Sequence, residues 1–125
     1  MKDFRKLKVW EKSHHLVLSI YNVTAGFPKG EAFGLTSQIR RASVSIPANI
    51  AEGCGKTGDN EFTRYLYIAM GSASELEYEL LLANDLKYLD DKNYETLTNE
   101  LLEIRKMLNG LIQRIKHPPG KSIPP

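Results

Sequence analysis

Apolar residues recur at spacings of three and four along four stretches of this chain, and this periodicity constrains the fold more than any other feature. The third stretch shows it most regularly, with Phe62, Leu66, Ala69, Ala73, Leu76, Leu80 and Ala83. A repeat close to 3.6 residues places such side chains on one face of an α-helix. Strand-like alternation persists nowhere for long enough to compete, so the sequence predicts an all-α protein.

Three breaks separate the four predicted helices. Pro28 and Gly30 end a first helix of about residues 8–25, the glycine-rich segment 53–58 ends the second, and segment 89–92 precedes the fourth. We expect Gly53 to form a left-handed cap, and Asp59 or Asn60 to cap the third helix. The fourth helix ends before Pro118 and carries a heptad seam of Leu97, Leu101, Ile104, Leu108, Leu111 and Ile115.

Short connections force neighbouring helices to run antiparallel, which predicts an up-down-up-down four-helix bundle. The 125 residues, of which 42% are hydrophobic, suffice for one core without metal or disulfides. We therefore expect one domain, residues 1–117, followed by a proline-rich tail, residues 118–125.

The composition also restricts where the chain works. No apolar run approaches the length of about 20 residues that a membrane span needs, and the basic start of the chain is not followed by a signal-type apolar segment. Cys54 is the only cysteine, so a framework of intrachain disulfides is excluded. These features predict a cytoplasmic protein without a membrane partner.

The second predicted helix carries a polar stripe beside its apolar face. We use this term for Gln38, Arg41, Ser45, Asn49 and Glu52, together with Glu75 on the third helix. Pro47 lies in the middle of the helix, where it removes a backbone donor and predicts a kink near residues 43–47. We expect the stripe to serve the structure, by satisfying the freed carbonyl and by pairing Arg41 with Glu75 or Glu79.

The opposite side of this helix is also apolar, through Val44, Pro47, Ala48 and Ala51. A helix with two apolar sides has more to bury than one core can cover, which predicts a contact between subunits. The alternative is that small residues are simply tolerated at the surface.

The segment from Gln38 to Gly53, QIRRASVSIPANIAEG, resembles the signature of the four helix bundle proteins encoded in intervening sequences of bacterial 23S ribosomal RNA, also labelled S23 ribosomal protein. Val9-Trp10, Phe27-Pro28 and segment 71–77 extend the resemblance. It implies an up-down bundle that assembles into a homopentamer. It also implies kinship with the accessory protein of diversity-generating retroelements, a basic pentamer regarded as a binder of nucleic acid and reverse transcriptase. It supplies no catalytic residues.

The motifs that suggest chemistry are incomplete. Segment 53–58 satisfies GxGxxG, but a helix precedes it where a strand is needed, and a P-loop would require glycine at Ile50. Cys54 follows a helix C-terminus, whose partial negative charge disfavours a thiolate. His14 and His15 are adjacent and point apart on a helix, so they form no metal site. The sequence predicts no enzyme, no cofactor and no metal.

Charge is distributed unevenly along the chain. Residues 1–30 hold six Lys and Arg against two acids, whereas residues 59–90 hold two against seven. The antiparallel topology gathers a basic pole, defined here as Lys2, Arg5, Lys6, Lys8, Lys12, Lys56, Arg114 and Lys116, to which Lys121 would add. Such a surface predicts nonspecific, salt-sensitive binding of RNA or DNA; a solubilising surface is the alternative.

Together these features predict a non-enzymatic, homo-oligomeric scaffold whose partner is nucleic acid or a nucleic-acid enzyme. The alternative is a bundle with a purely structural or protein-binding role.

Overall fold

The structure, a computed structural model, describes residues 2–120. Residues 121–125 of the predicted tail, with Lys121, lie outside the described residues. The described part contains four long helices, two short 3-10 helices at Phe4–Lys6 and Lys29–Glu31, and no strand, which confirms the all-α prediction. The long helices are α1 (Lys8–Thr24), α2 (Leu35–Cys54), α3 (Asp59–Asp85) and α4 (Asp91–Lys116).

Each long helix packs against two others, so that the four surround one core. α2 contacts α1 and α3, and α4 contacts α3 and α1. Ser45 of α2 hydrogen bonds with Ser72 of α3, and further along α2 Glu52 accepts from Tyr65, so the partner's number falls as the chain advances. α4 opposes α3 in the same way, through the pairs Arg105 with Glu77 and Lys116 with Tyr67. The predicted antiparallel four-helix bundle is confirmed.

The apolar faces predicted for α2 and α3 form most of this core. Every one of the seven α3 residues named above is at most 1% exposed, as burial of one amphipathic face requires. The last turns of α4 depart from the predicted heptad seam: Ile112 is buried, whereas Leu111 and Ile115 are only partly buried. A helix with 3.6 residues per turn drifts away from a strict seven-residue repeat, and the drift reaches one residue at this end.

Gly53 does not adopt the predicted left-handed cap. α2 continues through it to Cys54, and within segment 53–58 it is Gly58 that has a positive φ, of 88°. A Cβ on Gly53 would lie 2.9 Å from the Cβ of Tyr65 and 3.0 Å from Cδ1 of Phe62, so glycine here permits close approach of α3. The predicted side-chain cap at Asp59 or Asn60 is also wrong, because Gly58 precedes the first turn without a side-chain cap.

Pro47 lies inside α2, which is helical on both sides of it. Near this point Ser43 Oγ donates to the carbonyl of Arg40 at 2.8 Å, and Asn49 Nδ2 donates to the carbonyl of Ser45 at 2.8 Å. Polar side chains thus supplement the backbone bonds on either side of the missing donor. The kink at Pro47 stays a prediction.

Candidate nucleic-acid interface

The bundle brings the N-termini of α1 and α3 to the same pole as the C-termini of α2 and α4. Lys2 N donates to the carbonyl of Cys54 at 2.9 Å, and Lys116 Nζ donates to the hydroxyl of Tyr67 at 3.1 Å. These contacts tie the start of the described chain to the end of α2, and the end of α4 to the first half of α3. All eight side chains of the basic pole are exposed there.

Part of the basic pole lines a cavity of about 440 Å³ between the start of α1 and the end of α4. We call it the basic groove. Its charged residues are Lys6, Lys8, Lys106, Arg114 and the single acid Glu103, and its apolar floor is formed by Leu7, Val9, Met107 and Leu111 with Gly110. Four cations against one anion make this groove electropositive.

Lys106 is a residue of the groove that the sequence reasoning missed. Lys106, Gly110 and Arg114 are each four residues apart on α4, and residues at that spacing lie on the same face of a helix. A search of the fourth predicted helix for cations separated by multiples of four residues would have paired Lys106 with Arg114.

Acids neutralise only the margin of the basic pole. Lys12 forms an ion pair with Glu103 at 2.9 Å, and Arg5 pairs with Asp3 at 3.6 Å. Both pairs are exposed, and such pairs contribute at most about 1 kcal/mol. Within residues 2–120 no ion pair engages Lys6, Lys8 or Arg114, which leaves their charges available to a ligand.

Tyrosines alternate with cations at the same pole. The ring centroid of Tyr65 lies 4.6 Å from Arg64 Cζ and 5.6 Å from Lys56 Nζ, and that of Tyr67 lies 5.5 Å from Lys116 Nζ. Arg64 also donates to Glu61, which lowers the pKa of that carboxyl. Aromatic rings beside cations are suited to stacking against unpaired bases.

The polar stripe lies on the other side of the bundle, along the seam between α2 and α3. Ser45 Oγ is 2.7 Å from Ser72 Oγ, and Asn49 Nδ2 donates to Ser45 Oγ at 3.0 Å. Tyr65 OH donates to Glu52 at 3.5 Å. These side-chain contacts join the two helices.

The predicted link from Arg41 to Glu75 or Glu79 is absent: among the described residues no ion pair within 4.0 Å includes Arg41. Instead these side chains line a cavity of about 500 Å³, which we call the polar pocket. It is lined by Gln38, Arg41, Ala42, Ser45, Ser72, Glu75 and Glu79. Two acids and one cation therefore line a shared cavity and form no direct ion pair there.

Glu79 is the unusual member of the polar pocket. The residue is 6% exposed, and its Oε1 atom has no hydrogen-bond partner within the described part of the chain. Burial, with a smaller effect from the charge of Glu75, raises the pKa of Glu79 to about 7. The sequence reasoning placed Glu79 on the same side of its helix as Glu75 and as a partner for Arg41. Its position seven residues after Ser72, on the same helical face, is the signal for its place in the pocket that was missed.

The predicted subunit contact on α2 is only partly exposed. Val44 and Ala48 are exposed and Ala51 is half-buried, but Pro47 is buried within the protomer and offers no surface. Pro47 belongs to the core side because it is four residues after Ser43 and three before Ile50, which are both buried, so the three share one face of the helix. The assignment of Pro47 to the contact is therefore corrected.

The outer face of α3 adds an apolar surface that the sequence reasoning missed. Its exposed residues include Tyr67, Ile68, Tyr78 and Leu81, so α3 carries apolar side chains outside the core as well. Phe33, before α2, is fully exposed. A run of apolar residues between the core positions of α3, such as Tyr67-Ile68, was the available signal.

The cysteine and the histidines that were considered as reactive or metal-binding residues pack against other side chains. Cys54 is buried, and burial raises the pKa of its thiol. The His14 ring stacks on Trp10 with a centroid distance of 5.1 Å. Across residues 2–120, His, Cys, Asp and Glu form no group of three that would hold a metal ion, and no helix there is long and apolar enough to cross a bilayer.

Comparison with known proteins gives one consistent result. The family model of the 23S rRNA-intervening sequence protein matches residues 5–110. A solved structure from Bacteroides thetaiotaomicron, described as a protein with unknown function from the S23 ribosomal protein family, is 31% identical, with a TM-score of 0.77. The similarity covers 84% of this chain and 98% of that one. No curated protein sequence matches.

Proposed function

The chain belongs to the 23S rRNA-intervening sequence protein family, and on that premise we propose that it is a non-enzymatic, cytoplasmic scaffold that binds RNA or DNA. In this proposal the chains assemble into a homo-oligomer, a pentamer as the family resemblance implies, and each protomer holds a phosphate backbone in its basic groove. No cofactor takes part.

The basic groove is the observation that carries the proposal. Lys6, Lys8, Lys106 and Arg114 converge on one concave surface from two helices and one short turn. Convergent cations bind phosphates by releasing condensed counterions, without reading base sequence. The tyrosines at the same pole add stacking surfaces that favour single strands.

Self-association is supported by the exposed apolar side chains of α2 and α3. Val44 and Ala48 on α2 and Ile68 on α3 are exposed, and these two helices pack against each other. Apolar surface on neighbouring helices favours burial against another copy. In an oligomer the basic grooves act together on one strand, which raises the apparent affinity without any new contact.

Fluorescence anisotropy with labelled single-stranded and double-stranded RNA and DNA, at low and moderate salt, tests this function. We expect micromolar binding that weakens steeply with salt. The triple variant Lys6→Glu, Lys8→Glu, Arg114→Glu should abolish binding at moderate salt. On single strands the loss of three phosphate contacts should make the negative slope of log K against log salt shallower by about two.

The matched control is the triple variant Lys29→Glu, Lys87→Glu, Lys92→Glu, which makes the same change of charge at the opposite pole. It should lose binding far less than the first triple variant. Equal losses in both would show that net charge alone matters and would contradict the groove. Absence of binding even at low salt would reject the nucleic-acid function.

The second candidate function is a scaffold that binds protein only. The fully exposed Phe33 and the exposed Tyr78 favour it, because large exposed aromatic residues often anchor protein contacts. Retained assembly with no nucleic-acid affinity would favour this function over the first.

A further inference from the structure

The polar pocket lies on the α2–α3 side of the bundle, away from the basic groove between α1 and α4. An inference about it therefore stands independently of nucleic-acid binding. The deepest charged group of the pocket is Glu79, which is 6% exposed. Arg41, by contrast, is exposed at its edge.

Glu79 lacks the partners that a buried carboxylate usually has. Its Oε1 atom is enclosed and receives no hydrogen bond from the described residues. The nearby carboxylate of Glu75 adds negative charge instead of compensating it. A buried charge without a partner is costly, and proteins ordinarily pair such groups. The pocket leaves about 500 Å³ in which a partner would fit.

The rest of the pocket defines the chemistry of that partner. Gln38 and the hydroxyls of Ser45 and Ser72 can accept hydrogen bonds from a cationic donor, and Glu75 and Glu79 provide the opposite charge. Arg41 cannot fill this role from its present position, since it forms no ion pair with either acid. Its free donors suit an acceptor carried by the same ligand.

We propose that the polar pocket binds a guanidinium or primary ammonium group, which pairs with the carboxylates of Glu79 and Glu75 while Arg41 binds an acceptor on the same molecule. The shared chemistry has two sources. One is a small organic cation free in solution, such as an arginine-like compound or a polyamine. The other is a basic side chain of a second copy of this chain, whose backbone carbonyl would serve Arg41; this source rests on the proposed self-association.

Isothermal titration calorimetry with agmatine and with L-arginine tests the first source. Wild-type protein is compared with Glu79→Gln and with Glu95→Gln, an exposed acid on α4 that serves as the matched control. We expect saturable binding that weakens at least tenfold in Glu79→Gln and is unchanged in Glu95→Gln. L-arginine should bind more tightly than agmatine, because its carboxylate is an acceptor for Arg41.

Analytical ultracentrifugation of the same three proteins tests the second source. If neither compound binds, a tenfold or greater weakening of assembly in Glu79→Gln alone assigns the cation to a neighbouring copy. If wild-type protein assembles and Glu79→Gln assembles equally, with no binding of either compound, the inference is overturned. A monomeric wild type without small-molecule binding overturns it as well, and also rejects the proposed assembly.

Glu75→Gln provides a second variant if Glu79→Gln fails to fold. Glu75 is exposed, so the substitution leaves the packing of the bundle intact while removing one of the two charges. We expect a weaker loss of the same binding or assembly. An unchanged Glu75→Gln protein would contradict the pairing of both acids with one cation.

Discussion

Glu79 makes the stability of the protein depend on pH in a direction opposite to that of most carboxylates. Its pKa in the folded protein is about 7, against an ordinary value of 4.5. The groups that face it are Arg41 from α2 and Glu75 from its own helix. In the unfolded chain this carboxyl loses its proton at a lower pH than in the folded protein. The stability that the protonated form contributes is therefore complete below about pH 4.5 and is lost as the pH rises towards 7.

Glu79→Gln should remove this dependence. One pKa unit corresponds to about 1.4 kcal/mol and the pKa of Glu79 is raised from 4.5 to about 7, so between pH 4.5 and 8 the wild type should lose on the order of 3 kcal/mol relative to the variant. Urea denaturation of both proteins at several pH values measures the difference. Unfolding free energies that run parallel with pH would contradict the assignment.

Gly53 supports a second prediction at the scale of single residues. Replacing glycine by alanine inside a helix normally stabilises it by about 1 kcal/mol. In Gly53→Ala the added Cβ would lie 2.9 Å from Tyr65 Cβ and 3.0 Å from Phe62 Cδ1. The helices must then separate, and we expect a net loss of roughly 1–3 kcal/mol.

The control for this prediction is Gly110→Ala in α4. Its added Cβ would meet only the flexible end of Arg114, at 3.6 Å, which is an ordinary contact. Thermal denaturation should show a lower melting temperature for Gly53→Ala and an equal or higher one for Gly110→Ala. A stabilised Gly53→Ala would show that the helices do not pack as closely as described.

At the scale of helices, prediction from the sequence succeeded where burial alone determines which residue occupies a position. Only burial selects the inner positions of α3, from Phe62 to Ala83, and all seven were predicted. Prediction failed where a second helix decides. Gly53 resembles a cap until the approach of Tyr65 is known, and Pro47 resembles an outer residue until the packing of α2 is known. Helical periodicity predicts which residues share the apolar face of a helix. It does not predict which neighbouring helix buries the residues at the edge of that face.

The outer face of α3 leads to a prediction about association. Ile68 is exposed beside Ser72 on the side of the α2–α3 seam, and burying its side chain against another copy would favour assembly. Ile68→Glu should therefore shift the protein towards monomers in analytical ultracentrifugation. Leu18→Glu, which changes a comparably exposed residue on α1, is the control and should leave the mass unchanged. Equal masses for all three proteins would place the contact elsewhere.

At the scale of the whole molecule, topology turns a dispersed charge pattern into a polarised one. The two ends of the chain are basic and remote in sequence, and only the antiparallel order brings Lys6 and Lys8 to Arg114. Because that order follows from short connections, the basic pole was predictable from sequence. The polar pocket was not, because it depends on which residues of α2 and α3 pair across the seam, as Ser45 does with Ser72.

If grooves in neighbouring copies act on one strand, affinity should depend on both assembly and ligand length. Ile68→Glu leaves every groove residue intact, since Ile68 lies outside the basic groove. It should weaken binding of a long single-stranded RNA by about a hundredfold or more, because linked sites gain affinity from effective concentration. Binding of an oligonucleotide that spans one groove should stay unchanged. Anisotropy titrations of both RNAs with wild type and variant separate the affinity of a single groove from the gain that comes from linked grooves. An equal loss on the short RNA would mean that α3 itself contacts nucleic acid, and an unchanged affinity for the long RNA would mean that each protomer binds alone.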